Sequence, residues 1–182
     1  MTGDVLLRLV SEADAGPRAR AYARNREHLR RWEPPRPPEF FTPEGQTERL
    51  REHLTAQRTG QLVPWVLVRG DDVVGTAALS NVAVGPFRSA SLGYWIDAEL
   101  TGRGLATAAV DRVCRIADRD LDLHRLEAGT RTDNTASQRV LRKCGFEAIG
   151  VAPGYLYIDG AWRDHLLFQR VLNDRPPGTG GP

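Results

Sequence analysis

Lysine is almost missing from this chain of 182 residues: Lys143 is the single lysine among 25 basic side chains, and the rest are arginine. Cysteine is scarce too, with Cys114 and Cys144 alone. Both lie in segments of helical pattern, so free buried thiols in a reducing compartment are expected rather than a disulfide. His28, His53, His124 and His165 are scattered without metal-ligand spacing, and no metal is expected. An excess of charge is missing as well. The net charge of +2 is too small to argue for nucleic acid as an electrostatic partner. The preference for arginine is read as codon usage rather than as a phosphate-binding surface. No apolar run is long enough to span a bilayer, and "MTGDVLLRLVSEAD" lacks the basic lead and apolar core of a secretion signal. A cytoplasmic protein without a membrane partner is expected.

What is present suits one domain: hydrophobic residues make up 41% and charged residues 26%, enough to bury a core without staples. A single domain over residues 1–172 and a disordered tail over 173–182 are expected. "VLLRLV" reads as a first strand. Ser11 can cap a helix from Glu12 toward Leu29, which "RWEPPRPPEFF" ends. Thr42 and Pro43 open a second helix to about Arg58. "LVPWVLVRG", "DVVGTAALSNVAV" and "SASLGYWID" read as three consecutive strands. A helix from about Gly104 to Leu121 follows, with Leu105, Ala109, Val113, Ile116 and Ala117 on one face. "HRLEAGTRT" is a fifth strand. "NTASQRVLRKC" is a short helix ended by Gly145, and the chain closes in a hairpin turning at "IDG". This order is a mixed α/β layer with two crossovers and argues against a doubly wound dinucleotide fold.

The turn "ELTGRGLATAAV" carries the strongest chemical signal. A P-loop would need a lysine and a Ser or Thr after its last glycine, and Leu105 stands there. A dinucleotide fingerprint would need a third glycine, and Thr107 stands there. What remains is a strand end near Asp97, glycines at 102 and 104, and a helix N-terminus whose exposed N–H groups favour an anion. A capped turn without ligand is the alternative at this point.

"TGRGLA", Thr101–Ala106, resembles the acetyl-CoA loop of the GNAT superfamily of N-acetyltransferases, with Thr101 in place of the usual Gln or Arg. "RTDNTASQRVLRKCGFEAIG" and "GYLYIDGAWRDHLLF" are similar to the ribosomal-protein N-terminal acetyltransferase branch, the RimJ/RimL type. "HLRRWEPP" resembles the loop those proteins place beside the acceptor. The resemblance covers roughly residues 6–172. It implies a mixed, mostly antiparallel sheet of about seven strands with about four helices, splayed at its centre to hold acetyl-CoA. It implies acetyl transfer to an amine, most simply the N-terminal amine of a protein. Monomers and homodimers both occur among such proteins.

By this resemblance, Trp95, Ile96, Asp97, Gly102, Arg103, Gly104, Leu105, Ala106, Thr107, Asn134 and Ser137 contact the cosubstrate. Ser137 serves the leaving thiolate; Asn134 is equally a good helix cap. Glu127 is the candidate base, with water relayed by backbone carbonyls or no residue at all as the other options, and against the alternative that it pairs with Arg125 or Arg131. Relatives that carry a Glu on the strand after "GF" place it where this chain has Leu156, and the short helix carries no tyrosine. Trp32, Glu33 and Tyr155 are expected at the acceptor, with Trp95 and Trp162 as further candidates. Arg163, Asp164 and His165 either orient the acceptor or pin the hairpin. Two other functions stay open: the same chemistry on a small amine such as a polyamine or aminoglycoside, and a non-catalytic acyl-CoA sensor.

Overall fold

The computed structural model describes residues 4–177. Seven strands form one sheet: β1 (Val5–Leu9), β2 (Leu62–Arg69), β3 (Asp72–Ala83), β4 (Ser89–Ile96), β5 (Arg125–Arg131), β6 (Glu147–Ile158) and β7 (Ala161–Val171). Their spatial order is β1-β2-β3-β4-β5-β7-β6. Every neighbouring pair is antiparallel except β4 with β5. Five α-helices cover it: α1 (Ala15–Arg24), α2 (Arg26–Arg30), α3 (Pro43–Arg58), α4 (Leu105–Arg119) and α5 (Thr135–Lys143). Strand alternation sends Trp65 and Leu67 to one face and Val66 to the other. The first face packs Val110, Val113 and Cys114 of α4 and Leu141 of α5. The second packs Tyr22 of α1, Leu29 of α2 and Leu50 of α3.

The helix expected from Glu12 to Leu29 is broken twice. Glu12–Asp14 is a 3-10 turn, in which the Asp14 carboxylate accepts from the Ser11 N–H at 2.7 Å and from Arg8 Nη2 at 2.6 Å. The second break is at Asn25, which is 1% exposed. Its amide donates to Ala21 O at 2.9 Å, and its Oδ1 accepts from the Ala98 N–H at 2.9 Å. A polar side chain that bonds both its own helix and the turn after β4 diverts the local backbone. The second helix starts as expected, with Thr42 Oγ1 accepting from the Gly45 N–H at 3.1 Å and Pro43 in the first turn. The α4 face is also as expected, with Leu105, Ala109, Val113 and Ala117 buried.

The tail departs from expectation over its first residues. Asn173 Nδ2 donates to Asp118 Oδ1 at 2.8 Å and to Leu123 O at 2.9 Å. Arg88 Nη1 donates to Pro176 O at 3.0 Å, and Arg175 Nη2 to Asp118 Oδ1 at 2.8 Å. These bonds fasten residues 173–176 under the C-terminal end of α4. Residues 178–182 of the expected tail lie outside the described residues.

Candidate active site

The site begins as a failure of strand pairing. β4 and β5 meet in parallel at three positions, Ser89 with Arg125, Ala90 with Leu126 and Ser91 with Glu127. Past those pairs β4 stays on β3 as far as Ile96, and β5 stays on β7 as far as Arg131. The two strands therefore part as a V. Main-chain N–H and C=O groups along its inner edges have no strand partner, and such groups require one. The V opens into a cavity of about 810 Å³.

One wall is the N-terminus of α4. Gly102 and Gly104 have φ of 75° and 78°, the left-handed region that costs an L-residue about 1–2 kcal/mol. A Cβ at either glycine would touch nothing within 4 Å, so conformation, not crowding, requires glycine here. Gly104 is the N-cap and brings no capping side chain, and the first turn holds no acidic residue. The first N–H groups of α4 are thus free of side-chain partners and, with the helix dipole, suit an anion. Leu105, Ala106 and Thr107 line the cavity there, whereas exposed Arg103 is not part of its wall. Thr101 has a local role: its Oγ1 donates to Ala98 O at 2.9 Å, closing the 3-10 turn Ala98–Leu100.

One of the expected cosubstrate contacts is structural instead. Asp97 is 4% exposed and accepts from Arg24 Nε at 2.6 Å and from the Glu99 N–H at 3.2 Å. Burial works to raise its pKa, but hydrogen bonds from Asn25, Arg24 and the Glu99 N–H outweigh it and hold the carboxyl below the usual carboxylate range. Asp97 therefore fastens the end of β4 to the α1–α2 junction and does not line the cavity. The Trp95 indole donates to Tyr22 OH at 3.1 Å and is buried in the core under α1, while the residue still forms part of the cavity wall. Ile96 lines the cavity.

The facing wall is α5. Asn134 Oδ1 accepts from the Ser137 N–H at 3.1 Å, the capping role open from sequence. Ser137 Oγ lies 2.9 Å from the Tyr94 hydroxyl, which also lies 3.3 Å from Ser137 O. Burial, above all, pushes the Tyr94 phenol up to about 12. A phenol that stays protonated can donate to Ser137, leaving the serine hydrogen for a second acceptor. Sequence reasoning looked for a tyrosine in α5 and missed this one, because the splay brings it from β4, 43 residues earlier. Arg139 and Lys143, one turn apart on α5, and Thr130 on β5 also line the cavity. The Thr130 hydroxyl is buried without a partner. The i, i+4 spacing of the two cations was the available signal.

Glu127 is not at the site. It pairs with Ser91 at the closed end of the V and forms an ion pair with Arg125, the alternative open from sequence. Its assignment as base is withdrawn, since the cavity begins one residue later, at Ala128. Two histidines line the cavity, His28 of α2 and His165 of β7, and His165 is 3% exposed beside Ser137 and Gly129 in that wall. Its Nδ1 lies 3.0 Å from Arg163 O. A carbonyl only accepts, so Nδ1 carries hydrogen and Nε2 keeps the lone pair of the neutral ring.

The acceptor end gathers the expected residues. Trp32 and Glu33 line the cavity, their N–H groups donating to Leu29 O at 2.8 and 2.9 Å. Arg131 Nη1 donates to Arg31 O at 2.8 Å and its guanidinium lies 5.4 Å from the Trp32 ring, tying this loop to β5. Tyr155 stacks on His165 with ring centroids 5.1 Å apart and lies over Gly129, at the rim rather than in the wall. Trp162 is 66% exposed on the hairpin and stays outside. Among the described residues, no cluster of three or more metal-type ligands occurs, and no helix is long and apolar enough to cross a membrane.

The model of the GNAT acetyltransferase domain matches residues 4–147. The chain belongs to this family. It is therefore an acetyltransferase. Among curated relatives, [Ribosomal protein uS5]-alanine N-acetyltransferase of Escherichia coli (strain K12) is 36% identical over 97% of this chain and 92% of its own. Among solved structures, ribosomal-protein-S5-alanine acetyltransferase from Vibrio fischeri superposes with a TM-score of 0.92 at 35% identity, over 96% of each chain. Mycobacterium smegmatis RimJ in complex with CoA-disulfide gives 0.88 at 35% identity, over 92% of this chain and 81% of that one. This acetyltransferase thus shares its fold and much of its sequence with the RimJ type.

Proposed function

We propose that the protein transfers an acetyl group from acetyl-CoA to the N-terminal α-amine of a polypeptide. The observation that carries this reading is the continuity of one cavity from the α4 N-terminus, past Ser137 and His165, to Trp32 and Glu33. The N–H groups of Leu105 to Thr107 hold the pyrophosphate, with Arg139 and Lys143 as nearby cations. The unpaired edges of β4 and β5 offer main-chain partners to the extended pantetheine arm. Acetyl-CoA supplies an acyl group already activated as a thioester. Most of the rate comes from holding thioester and amine together.

His165 Nε2 takes the proton that the amine must lose. Ser137, its oxygen held by Tyr94, donates a hydrogen bond to the thiolate as it leaves. Because Tyr94 stays neutral and Ser137 is an alcohol, they steady the developing charge rather than deliver a ready proton. A His165→Gln variant is expected to keep coenzyme A affinity and lower kcat by about 10²–10³.

The polyamine reading is disfavoured by charge. Glu33 is the one carboxylate in the cavity wall, against Arg131, Arg139 and Lys143. Relatives with the same fold and about a third of the sequence in common are named for an N-terminal alanine acceptor. Thiol release from acetyl-CoA with Ala- and Ser-initiated peptides, compared with spermidine and an aminoglycoside, tests the choice. Turnover of peptides alone supports it; turnover of the small amines alone refutes it. Tight binding of acetyl-CoA with no turnover of any amine would favour the sensor reading.

A further inference from the structure

A second group of charges lies beside the acceptor end and takes no part in the transfer. Arg18 of α1, Arg36 of the proline-rich loop and Arg49 of α3 converge on one aromatic pair. The Tyr22 and Phe40 rings are 4.7 Å apart. Arg36 and Arg49 lie 4.8 and 5.6 Å from the Phe40 centroid, and Arg18 lies 5.8 Å from that of Tyr22.

Arg18 is 2% exposed, yet its Nε and Nη1 have no partner, and neither does Arg36 Nε. Buried cationic donors left empty are costly, and three cations gathered around one aromatic pair repel one another as well. Among the described residues, Glu33 alone forms an ion pair with the group, and only at 3.7 Å from Arg36, too far for a hydrogen bond. Burial pushes the Glu33 carboxyl up and so weakens it as a counter-charge. His53, which feels Arg18, Arg49 and Arg36, is pushed down to about 4, chiefly by burial. Positive charge with vacant N–H groups is what a carboxylate, with its two accepting oxygens, satisfies.

Glu33 connects this group to the cavity, since it lines the one and pairs with the other. We propose that Arg18, Arg36 and Arg49 form a carboxylate-binding subsite that selects acceptor polypeptides carrying Asp or Glu within the first few residues after the acetylated amine. The inference rests on the peptide-acceptor reading and narrows it. Flexible extended chain covers about 3.3 Å per residue, so a few residues suffice to pass from the cavity to the neighbouring group.

The test pairs Ala-initiated peptides that differ by Glu or Gln at positions two to six, read as kcat/KM from thiol release. The Glu peptides are expected to be preferred about tenfold or more at the position that reaches the subsite. That ratio is expected to fall to about one in Arg36→Gln and in Arg49→Gln, both partly exposed and tolerant of change. Proton NMR of His53 gives a readout that needs no turnover. A bound carboxylate offsets the cations, so the Glu peptide raises the His53 titration midpoint and the Gln peptide does not. Equal kcat/KM for Glu and Gln peptides, or a preference that survives both variants, overturns the subsite and leaves the acceptor reading intact. A His53 shift with the Glu peptide but no acetylation of any peptide supports the subsite and overturns the acceptor reading. Inorganic phosphate is the remaining arm. If it shifts His53 while the Glu peptide does not, the group is a phosphate site and the proposal fails.

Discussion

Tyr94→Phe removes one hydroxyl from the wall of the cavity and nothing else. The lost group is partly buried and lies 2.9 Å from Ser137 Oγ, so stability is expected to fall by only about 0.5–1.5 kcal/mol. The consequence for chemistry is larger. Without the phenol, Ser137 Oγ has no donor of its own, and its hydrogen is free to rotate onto the vacated direction or onto helix carbonyls. A donor aimed at a developing charge is worth about 10²–10³ in rate when deleted outright; losing only its orientation is expected to cost about tenfold. Ser137→Ala is expected to lower kcat about a hundredfold. If Tyr94 acts through Ser137, the double variant falls about a hundredfold as well, not a thousandfold. That tenfold non-additivity is a coupling of about 1.4 kcal/mol. Stopped-flow thiol release at saturating acetyl-CoA and peptide measures all four proteins. Losses that multiply in the double variant would refute the relay, as would a Tyr94→Phe enzyme of full activity. KM for acetyl-CoA is expected to stay near its wild-type value throughout.

Three further outcomes are expected. Gly104→Val forces a β-branched residue to a φ of 78°, costs about 1–2 kcal/mol of stability, and weakens coenzyme A binding tenfold or more by calorimetry; unchanged affinity would reduce the loop to a turn. Asp97→Ala leaves Arg24 without its buried partner and is expected to cost about 3 kcal/mol, or about 6–12 °C in Tm, while coenzyme A affinity holds; a selective loss of affinity would return Asp97 to the cosubstrate. His53 is more easily protonated unfolded than folded, because burial and the three arginines hold its folded pKa near 4. Its contribution is present above the unfolded value and is lost as pH falls from about 6.5 toward 4, with a slope of at most about 1.4 kcal/mol per pH unit; His53→Asn is expected to flatten that part of a denaturation-versus-pH curve, and an unchanged curve would exclude His53 as its source.

The elements with strong periodicity were legible in the sequence: the α4 face, the Thr42 cap and the closing hairpin all rest on local signals. The break at Asn25 was not, because its cause is a hydrogen bond to Ala98, on another element. The same division runs through the site. The αL glycines and the α5 cap are local and were readable, down to the choice left open for Asn134. Tyr94, His165 and the arginine group owe their roles to partners 43 residues away, across the splay, or on three separate segments. Glu127 shows the converse: its type suited a base, and the register of three β4–β5 pairs decided against it. Asp97 was named from its place at the end of the splayed strand, and its bonds to Arg24 and the Glu99 N–H redirected its side chain.

The most direct measurement uses one peptide that begins with Ala and carries an internal lysine. After incubation with the enzyme and acetyl-CoA, tandem mass spectrometry locates the acetyl group. Acetylation confined to the α-amine, slowed about 10²–10³-fold in His165→Gln, is the expected result. Acetylation of the lysine ε-amine, or none on the peptide beside rapid turnover of a polyamine, would contradict it.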